Sequence, residues 1–204
     1  MKIYIRNDDE RFPFLLVDNF YTEDQEKKVW KEFEFYESSG IPAPVKDEDI
    51  SKYEDGTPRG KNLRVYPDAI FKTREASNIL RFQYENVFSE EVKNSYKETS
   101  ATYRWLNNSN SDFTIISYYE DDHYYKAHFD SCQISCCIWM FREPKAFSGG
   151  EFTFTDSGVS LDCVNNRMVL FPGYYKHSVS PIKMKREGDN LGRYTITHFY
   201  QLYN

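Results

Sequence analysis

The chain has 204 residues, of which 40% are hydrophobic and 18% aromatic, and its formal net charge at pH 7 is −6. This length suits a single domain, and the apolar and aromatic content excludes an intrinsically disordered protein. No apolar run approaches the ~20 residues of a membrane span, and the acidic charge argues against sequence-independent binding to nucleic-acid phosphates. The sequence therefore predicts a soluble, globular, single-domain protein, residues 1–204, with no membrane contact and no non-specific nucleic-acid binding.

The N-terminal residues and the cysteines both argue against export. The first apolar run is interrupted by Arg6 and then by three acidic residues, so it cannot form the hydrophobic region of a signal peptide. The cysteines form neither a CxxC pair nor a zinc-like spacing to histidine, which favours reduced thiols in the core. We expect a protein that stays in the cytoplasm of the cell that makes it. The four cysteines are Cys132, Cys136, Cys137 and Cys163.

Residues 1–102 are predicted to form a supporting region with a strand and two helical segments. The run FPFLLVD is apolar enough for a strand, and Thr22 with Gln25 three residues later is a capping box that marks a helix start. A second helical period covers residues 74–97 and is interrupted near Ser89. The first helix is expected to bury Val29, Trp30, Phe33 and Tyr36.

A long loop is predicted over residues 38–62. This stretch is rich in Gly, Pro, Ser and charged residues, and it has no apolar period that would order it as a helix or strand. A loop of this length in a compact domain is usually either functional or mobile, and the sequence does not decide between these two hypotheses. If it is functional, it is placed to act as a lid over a substrate.

Residues 103–204 are predicted to form a β-rich core. Seven short runs have strand composition: DFTIISYY, HYYKAHFD, ISCCIWMF, GGEFTFT, NRMVLFP, HSVSPI and RYTITHFYQLY. Turn signals such as Gly149-Gly150 and Asn165-Asn166 separate them, in the rhythm of an all-β sandwich or barrel. The fold class is therefore mainly β with flanking helices (α+β).

The segment HYYKAHFD contains the clearest candidate for a functional site. Side chains alternate along a strand, so His128 and Asp130 project from the same side while Phe129 points away. His177, at the start of another predicted strand, can supply a third ligand. Two histidines and one carboxylate on one face, with open positions beside them, suit the non-haem Fe(II) oxygenases. The isolated His-x-Asp pair is weak evidence, because such pairs are more often a histidine hydrogen-bonded to its neighbour.

Four motifs in order add to this pattern. YYEDDHYYKAHFD, SGGEFTF, NRMVLFPGYYKHSVSP and GRYTITHFY together resemble the Fe(II)/2-oxoglutarate-dependent dioxygenases from about Ile115 to Tyr200, and most closely the prolyl 4-hydroxylase-like branch. The N-terminal RFPFLLVDNFYTEDQ resembles the usual opening of such proteins, and the whole chain is similar to small phage-encoded members. The resemblance implies a double-stranded β-helix, the cupin-like jelly roll, with N-terminal helices packed on one sheet.

The resemblance also implies roles for six residues. His128, Asp130 and His177 correspond to the iron ligands. Arg193 corresponds to the residue that binds the distal carboxylate of 2-oxoglutarate, and Thr197 on the same strand face is placed to assist it. Tyr119 corresponds to the tyrosine that often hydrogen-bonds this co-substrate, with Tyr118 as the competing candidate.

The spacing between the distal histidine and the basic residue departs from the usual pattern. It is longer than in the family, because the hydrophilic segment KMKREGDN is inserted, and a longer hairpin loop explains it. Lys183, Lys185 and Arg186 are the alternative anchors. His123, in the preceding turn, is expected to be solvated, and Glu151 is expected to be structural.

The implied activity is hydroxylation of a substrate C–H bond with release of succinate and CO2. It requires Fe(II), 2-oxoglutarate and O2, and it admits ascorbate as a reductant. The expected substrate is a prolyl residue in a peptide or protein, and the alternative is a free amino acid or small metabolite. Nucleobase demethylation is disfavoured because Phe199 stands where such enzymes carry a second arginine.

Two alternatives without this chemistry also stay open. One is a non-catalytic jelly-roll binding module, and the other is a cupin-like metalloenzyme that does not use 2-oxoglutarate. The intact ligand set argues against the first, and the presence of Arg193 argues against the second.

Overall fold

The computed structural model describes residues 1–6, 13–44, 51–97, 103–186, 188 and 190–203. Its strands are concentrated in the second half of the chain, and four of its five helices lie in the first. The strands are β1 (Lys2–Arg6), β2 (Phe14–Asp18), β3 (Ala43–Pro44), β4 (Gly60–Lys61), β5 (Leu63–Val65), β6 (Ser111–Tyr119), β7 (Tyr124–His128), β8 (Ile134–Met140), β9 (Phe147–Gly149), β10 (Phe152–Phe154), β11 (Val159–Leu161), β12 (Arg167–Pro172), β13 (His177–Val179), β14 (Ile182–Met184) and β15 (Arg193–Gln201). The helices are α1 (Glu23–Ser38), α2 (Pro67–Ile70), α3 (Asn78–Val87), α4 (Glu90–Lys97) and α5 (Arg104–Asn108), with a 3₁₀ turn at Arg74–Ala76.

Two antiparallel sheets form the body of the structure. The larger has the order β1-β2-β12-β8-β15-β6-β5-β3, and the smaller has the order β11-β10-β13-β7-β4. A separate two-stranded ribbon pairs β14 with β9. This double-sheet β core with flanking helices confirms the predicted fold class.

The two faces of the larger sheet line two different cores. On β8, Ile138 belongs to the core that the sheet shares with the helices, whereas its neighbours Cys137 and Trp139 belong to the core shared with the smaller sheet. This alternation is the period of two that a strand buried on both faces requires. The helices therefore cover one sheet, as predicted, and the opposite face is left for the site.

Local sequence explains where the main helices begin and end. Thr22 caps α1 in the predicted capping box with Gln25, in which each side chain bonds the backbone N–H of the other residue. Ser77 caps α3 in the same manner by accepting from the Leu80 amide. The helical structure is interrupted at residues 88–89, between α3 and α4, where the sequence predicts an interruption. None of the helices within the described residues is long and apolar enough to cross a membrane.

All seven predicted β runs form strands, but the sequence reading missed several shorter ones. It did not identify β1, β5, β9 and β11, and it treated HSVSPI as one strand although it divides into β13 and β14 of different sheets. β5, β9 and β11 have three residues each, which is too short to show a period of two in sequence. That residues 1–204 form one domain stays a prediction. The predicted boundary between its two parts, 1–102 and 103–204, adjoins residues 98–102, which lie outside the described residues.

The predicted loop over residues 38–62 is more ordered than its composition suggests. Residues 45–50 lie outside the described residues, but Ala43–Pro44 joins the larger sheet and Gly60–Lys61 joins β7 of the smaller one. The Tyr53 hydroxyl donates to the Ala127 carbonyl at 3.0 Å, and the Lys126 amide donates to the Arg59 carbonyl at 2.6 Å. Backbone pairing of this kind needs no apolar period, and a pattern of side chains does not reveal it.

A buried polar network anchors the helical face of β15. His198 is fully buried, its Nε2 lies 2.6 Å from Asp112, and its Nδ1 faces the Thr114 hydroxyl. Arg74 donates to both Asp112 oxygens at 2.7 Å. Burial lowers the pKa of His198, so the ring is neutral and donates from Nε2. Burial opposes ionisation of Asp112 as well, but the hydrogen bond from His198 and the charge and hydrogen bonds of Arg74 outweigh it and lower the pKa of this carboxyl.

We expect Asp112→Asn to destabilise the fold by about 2 kcal/mol at pH 7, because it weakens two charge-assisted contacts. Since the folded pKa of Asp112 is depressed, this contribution is present above the ordinary carboxyl pKa of about 4 and is lost as the pH falls through the folded value. Urea unfolding measures this effect: the difference in free energy of unfolding between wild type and variant should be smaller at pH 3 than at pH 7. Glu34→Gln, at the exposed pair with Arg142, is the control and should cost less than about 1 kcal/mol. An equal loss for both variants would contradict the network's importance.

Candidate metal centre

The three predicted ligands converge on two neighbouring strands. His128 ends β7, Asp130 follows it, and His177 begins β13 directly opposite His128 in the antiparallel register. One nitrogen or oxygen from each of these residues can be chosen so that all three lie within 4.8 Å of one another. The structure thus brings together side chains that are distant in sequence, since His128 and His177 are 49 positions apart.

Backbone carbonyls orient both imidazole rings. The Nδ1 of His128 lies 2.9 Å from the Lys126 carbonyl, and the Nδ1 of His177 lies 2.8 Å from the Tyr175 carbonyl. Because a carbonyl only accepts, Nδ1 carries the proton in each ring and Nε2 keeps its lone pair. Both Nε2 atoms face Asp130, and this is the tautomer in which a histidine binds a metal through Nε2.

Asp130 is held between the two rings without bonding to them closely. Its oxygens lie 3.4 Å from Nε2 of His128 and 3.6 Å from Nε2 of His177, which exceeds normal hydrogen-bond distances. Its firm contact is with the hydroxyl of Ser135, which donates to Oδ2 at 2.5 Å. The three groups therefore face a common point rather than forming a hydrogen-bonded chain.

Gly173 keeps the two halves of this centre together. The Asp130 amide donates to the Gly173 carbonyl at 2.9 Å, and a Cβ at Gly173 would lie 2.3 Å from the Cys132 carbonyl oxygen. Any larger residue would push the segment after β12 away from the segment that carries Asp130. The FPG part of the sequence is required here for its close backbone approach.

The electrostatics suit a cation. Burial would raise the pKa of the Asp130 carboxyl, but the two imidazole rings beside it and the hydrogen bond from the Ser135 hydroxyl outweigh burial and hold this pKa below its ordinary value. Burial lowers the pKa of His177. The centre therefore presents an ionised carboxylate beside a neutral imidazole, and two imidazoles with one carboxylate are the donor set of a non-haem Fe(II) site.

The centre forms one wall of a cavity of about 290 Å³ between the two sheets. Tyr125 packs on His128 with ring centroids 4.3 Å apart, and Phe152 stacks on His177 at 5.0 Å. Phe199 lines the same cavity and stacks on Phe113 at 4.6 Å. Aromatic rings thus line the cavity beside both histidines, and polar side chains such as Arg64, Ser117 and Thr195 complete the lining. This leaves room for small molecules beside the histidines.

Arg193 begins β15 and is fully buried. Its Nη1 donates to the Gly150 carbonyl at 2.6 Å, and its guanidinium lies over the Tyr119 ring with 4.5 Å between Cζ and the ring centroid. Its Nε and Nη2 have no hydrogen-bond partner within the described residues. A buried cation with two unused donors is costly unless a ligand satisfies it, and a carboxylate fits such a fork.

Two further groups beside Arg193 are also buried without a hydrogen-bond partner. The sequence analysis predicted no role for either of them. The Thr195 hydroxyl, two residues along on the same face of β15, and the indole Nε1 of Trp139, directly opposite Thr195 on β8, are both buried without a partner in the described part of the chain. Thr197 also lies on the cavity wall, but its hydroxyl accepts from the Cys137 thiol at 3.7 Å. Unpaired buried donors are visible only in a folded structure, so a sequence gives no sign of them.

The two candidate tyrosines occupy opposite faces of β6. Tyr119 lines the cavity, and its hydroxyl receives only a long 3.5 Å contact from the Asn62 amide. Tyr118 lies in the core on the helical side, stacks on Tyr194 with centroids 4.7 Å apart, and accepts from the Gly192 amide at 3.0 Å. The geometry therefore favours Tyr119 over Tyr118 as a contact for any ligand in the cavity.

The alternative cationic anchors lie away from the cavity. Lys183 pairs with Asp122 on an exposed surface, Arg186 donates to the Pro144 carbonyl at 3.3 Å, and Lys185 lines a different groove. The inserted loop is described only in part, since residues 187 and 189 lie outside the described residues. None of the three cations shares the cavity with the histidines.

Two smaller expectations have different outcomes. His123 is buried rather than solvated, because its Nδ1 accepts from the Glu120 amide and its carbonyl accepts from the Ile182 amide where the ribbon strand β14 begins. The prediction of a solvated turn residue was therefore wrong. Glu151 has the expected structural contact, since its carboxylate accepts from the Ser180 hydroxyl.

All four cysteines are free thiols, and three of them are buried, as predicted.

Comparison with known proteins agrees with this architecture. Residues 113–201 match the model of the 2OG-Fe(II) oxygenase superfamily. This match extends from β6 to β15 and includes all three clustered side chains. The search of curated proteins gave no significant match.

Solved structures share the fold over nearly the whole chain. A Pseudomonas putida prolyl-4-hydroxylase is 14% identical with a TM-score of 0.60, over 94% of this chain and 93% of that one. A Trichoplax adhaerens prolyl hydroxylase, in complex with a hypoxia-inducible-factor oxygen degradation domain peptide fragment, is 14% identical with a TM-score of 0.62, over 92% and 83%. A Burkholderia pseudomallei oxidoreductase of the 2OG-Fe(II) oxygenase family is 11% identical with a TM-score of 0.56, over 94% and 86%.

At these identities the structures establish a shared fold, the jelly roll. The family match covers residues 113–201, which are 89 of the 204 residues. The comparisons therefore support a 2-oxoglutarate-dependent dioxygenase with a 2OG-Fe(II) oxygenase domain over residues 113–201.

Proposed function

We propose that the protein hydroxylates a prolyl residue in a peptide or protein, with iron held by His128, Asp130 and His177 and with release of succinate and CO2. The observation that carries the proposal is the cluster of these three side chains on a cavity wall, with both Nε2 atoms free to bind. Bound iron, with 2-oxoglutarate and O2, would supply the oxidising chemistry. The protein's contribution is to bind, orient and shield the reactants.

The residues around the cluster fix its geometry before any ion arrives. The carbonyls of Lys126 and Tyr175 hold the rings in the metal-binding tautomer, and the Ser135 hydroxyl holds the carboxylate. Such outer contacts reduce the reorganisation that binding requires. The aromatic walls keep water from the substrate carbon.

The unpaired donors of Arg193, Thr195 and Trp139 fit the distal carboxylate of 2-oxoglutarate. Arg193 would supply the charge and a fork of two N–H groups, while the other two residues would add one hydrogen bond each. Tyr119 would contact the same molecule from β6. Thr197 keeps its proposed assisting role through the face that it shares with Thr195, and ascorbate stays a proposed reductant.

Two observations support a peptide as the substrate. The cavity continues into a groove of about 480 Å³, and Arg64 and Tyr125 line both spaces. A chain could therefore extend from the histidines along β4 and β7. Proteins of the same fold are prolyl hydroxylases, one of them in complex with a peptide. A phage origin remains a prediction from the sequence resemblance.

Removing a proposed iron ligand should abolish tight binding. We expect one Fe(II) per chain after anaerobic reconstitution, and a loss of affinity above about 100-fold for His128→Ala, Asp130→Ala or His177→Ala. Ser135→Ala, which removes only the orienting contact, should weaken binding by about 10-fold. Equilibrium dialysis with metal analysis measures both effects. His123→Gln is the control, because this histidine lies outside the cluster, and full iron content in His177→Ala would disprove the assignment.

Removing a proposed co-substrate donor should weaken 2-oxoglutarate binding without removing iron. Arg193→Ala should raise the concentration needed by roughly 30- to 1000-fold, from a loss of about 2–4 kcal/mol. Trp139→Phe and Thr195→Val, which delete single hydrogen bonds, should each raise it by about 5- to 10-fold. The measurement is anaerobic titration of the visible absorption band that a chelating keto acid gives with Fe(II).

Tyr118→Phe is the matched control, because it removes a hydroxyl from the opposite face of the sheet, and it should leave the titration unchanged. Weakening by Arg186→Ala together with an unchanged Arg193→Ala titration would transfer the role to the inserted loop.

The substrate assignment is tested by a panel of compounds. Proline-containing peptides should raise succinate formation above the uncoupled background, and mass spectrometry should locate one added oxygen on proline. Free proline, other free amino acids and methylated oligonucleotides are the comparison arms. If only free amino acids stimulate turnover, the prolyl assignment fails, and the protein hydroxylates a small metabolite.

A further inference from the structure

We infer that Arg59 and Arg64 form a subsite for a carboxylate of the substrate, so that the enzyme is selective for acidic substrates. Both arginines line the cavity that contains the histidine cluster. The inference rests on the proposed function for the identity of the reaction, but it concerns residues that the iron and 2-oxoglutarate assignments do not use.

The fold directs Arg64 into the cavity. It lies on β5 opposite Ser117 of β6, and Ser117 lines the same cavity, so the two share the inner face of the larger sheet. Its Nε donates to the Asn62 side chain at 3.2 Å, and its Nη1 has a long 3.5 Å contact with the Tyr66 hydroxyl. It has no ion pair within the described residues, so its charge is uncompensated there.

Arg59 approaches the same space from the smaller sheet. Its carbonyl accepts from the Lys126 amide at 2.6 Å, and the neighbouring Gly60 lies against the Tyr125 ring, where a Cβ would come within 2.4 Å of a ring carbon. The guanidinium lies over Tyr53 at 5.0 Å from the ring centroid, and its buried Nε has no partner in the described chain. This tight packing fixes the backbone of Arg59 beside the strand that ends in His128.

The charges in the cavity point to an anionic substrate. Among the described residues that line the cavity, Asp130 is the only carboxylate, and the iron site uses it. With Fe(II), Asp130, doubly ionised 2-oxoglutarate and Arg193 in place, the formal charges sum to zero. Arg59 and Arg64 then remain as two positive charges in a partly desolvated space, in a protein whose net charge is −6. A substrate carboxylate compensates them, whereas a phosphate backbone is disfavoured by the acidic surface.

The carboxylate can come from two sources. One is an aspartate or glutamate side chain near the hydroxylated residue of a peptide, and the other is the α-carboxylate of a free amino acid. The groove of about 480 Å³ that Arg64 shares with the cavity gives room for the first. The chemistry recognised by the two guanidinium groups is the same in either case.

The test uses paired probes that differ only in charge. Proline-containing nonapeptides of Gly and Ala carry a single Asp, or the isosteric Asn, at each position flanking proline, and free amino acids are compared with their amides. We expect the wild-type Fe(II) protein to prefer the charged probe in kcat/KM by about 10- to 100-fold. Arg64→Gln should reduce this ratio to about 2-fold, Arg59→Gln should reduce it in part, and Arg64→Lys should retain more of it than Arg64→Gln.

Lys72→Gln is the matched control, because it removes the same charge from an exposed position that lines neither the cavity nor the groove. It should keep the wild-type preference. A preference carried only by free amino acids would support the subsite and identify the α-carboxylate as its ligand.

Three results would overturn the inference: no charge preference in the wild type, an equal loss in Lys72→Gln, or an unchanged preference in both arginine variants. Anaerobic titration of 2-oxoglutarate separates this failure from that of the proposed function. If Arg64→Gln weakens 2-oxoglutarate binding as Arg193→Ala does, Arg64 belongs to the co-substrate site and the substrate subsite is disproved. If the wild type gives no titration, the proposed function itself fails.

Discussion

The pairing of β7 with β13 is the constraint on which the site depends. It sets His128 directly opposite His177, and the register shifts immediately afterwards, between His177 and Val179. A slip of one residue would turn one imidazole to the other face of the smaller sheet and separate the three ligands. The close approach of Gly173 to Cys132 places Asp130 against this pair from the side. The centre is therefore a product of strand register, which many backbone hydrogen bonds determine together.

A second constraint is the set of donors that the fold leaves without partners. In most proteins nearly all buried polar groups are hydrogen-bonded, so unpaired donors on Arg193, Thr195 and Trp139 in one region call for an explanation. Leaving them unpaired costs stability, and a carboxylate ligand recovers that cost on binding. The same reasoning extends to Arg59, which directly precedes β4 of the smaller sheet. Single unpaired atoms also occur on Tyr21, Arg81 and Gln83. The proposed binding site is therefore marked by several unpaired donors close together, not by one unpaired atom.

The sequence predicted most of the elements and the three clustered side chains, and physical reasons explain both the successes and the failures. Strands such as β6, β8 and β15 are long, and their β-branched and aromatic residues give a clear signal. The His-x-Asp pair is local, so its orientation follows from the period of a strand. His123 was assigned to solvent because a turn of charged residues gives no indication that the ribbon strand β14 covers it. The sequence predicted no role for Trp139, because a tryptophan in a hydrophobic run is typical of a core residue. Only the fold shows that its indole N–H is unpaired.

The alternation of β15 separates stability from chemistry within one strand. Tyr194, Ile196, His198 and Tyr200 face the helices, where His198 joins the network with Asp112 and Arg74. Arg193, Thr195, Thr197 and Phe199 face the other way, toward the smaller sheet. Since the helical face carries the packing, and His198, Asp112 and Arg74 bond to one another there, the inner face can keep groups that are not satisfied until a ligand binds. Both sets belong to one continuous hydrogen-bonded strand, so the rigidity supplied on the helical side also fixes the positions of the unpaired groups on the other.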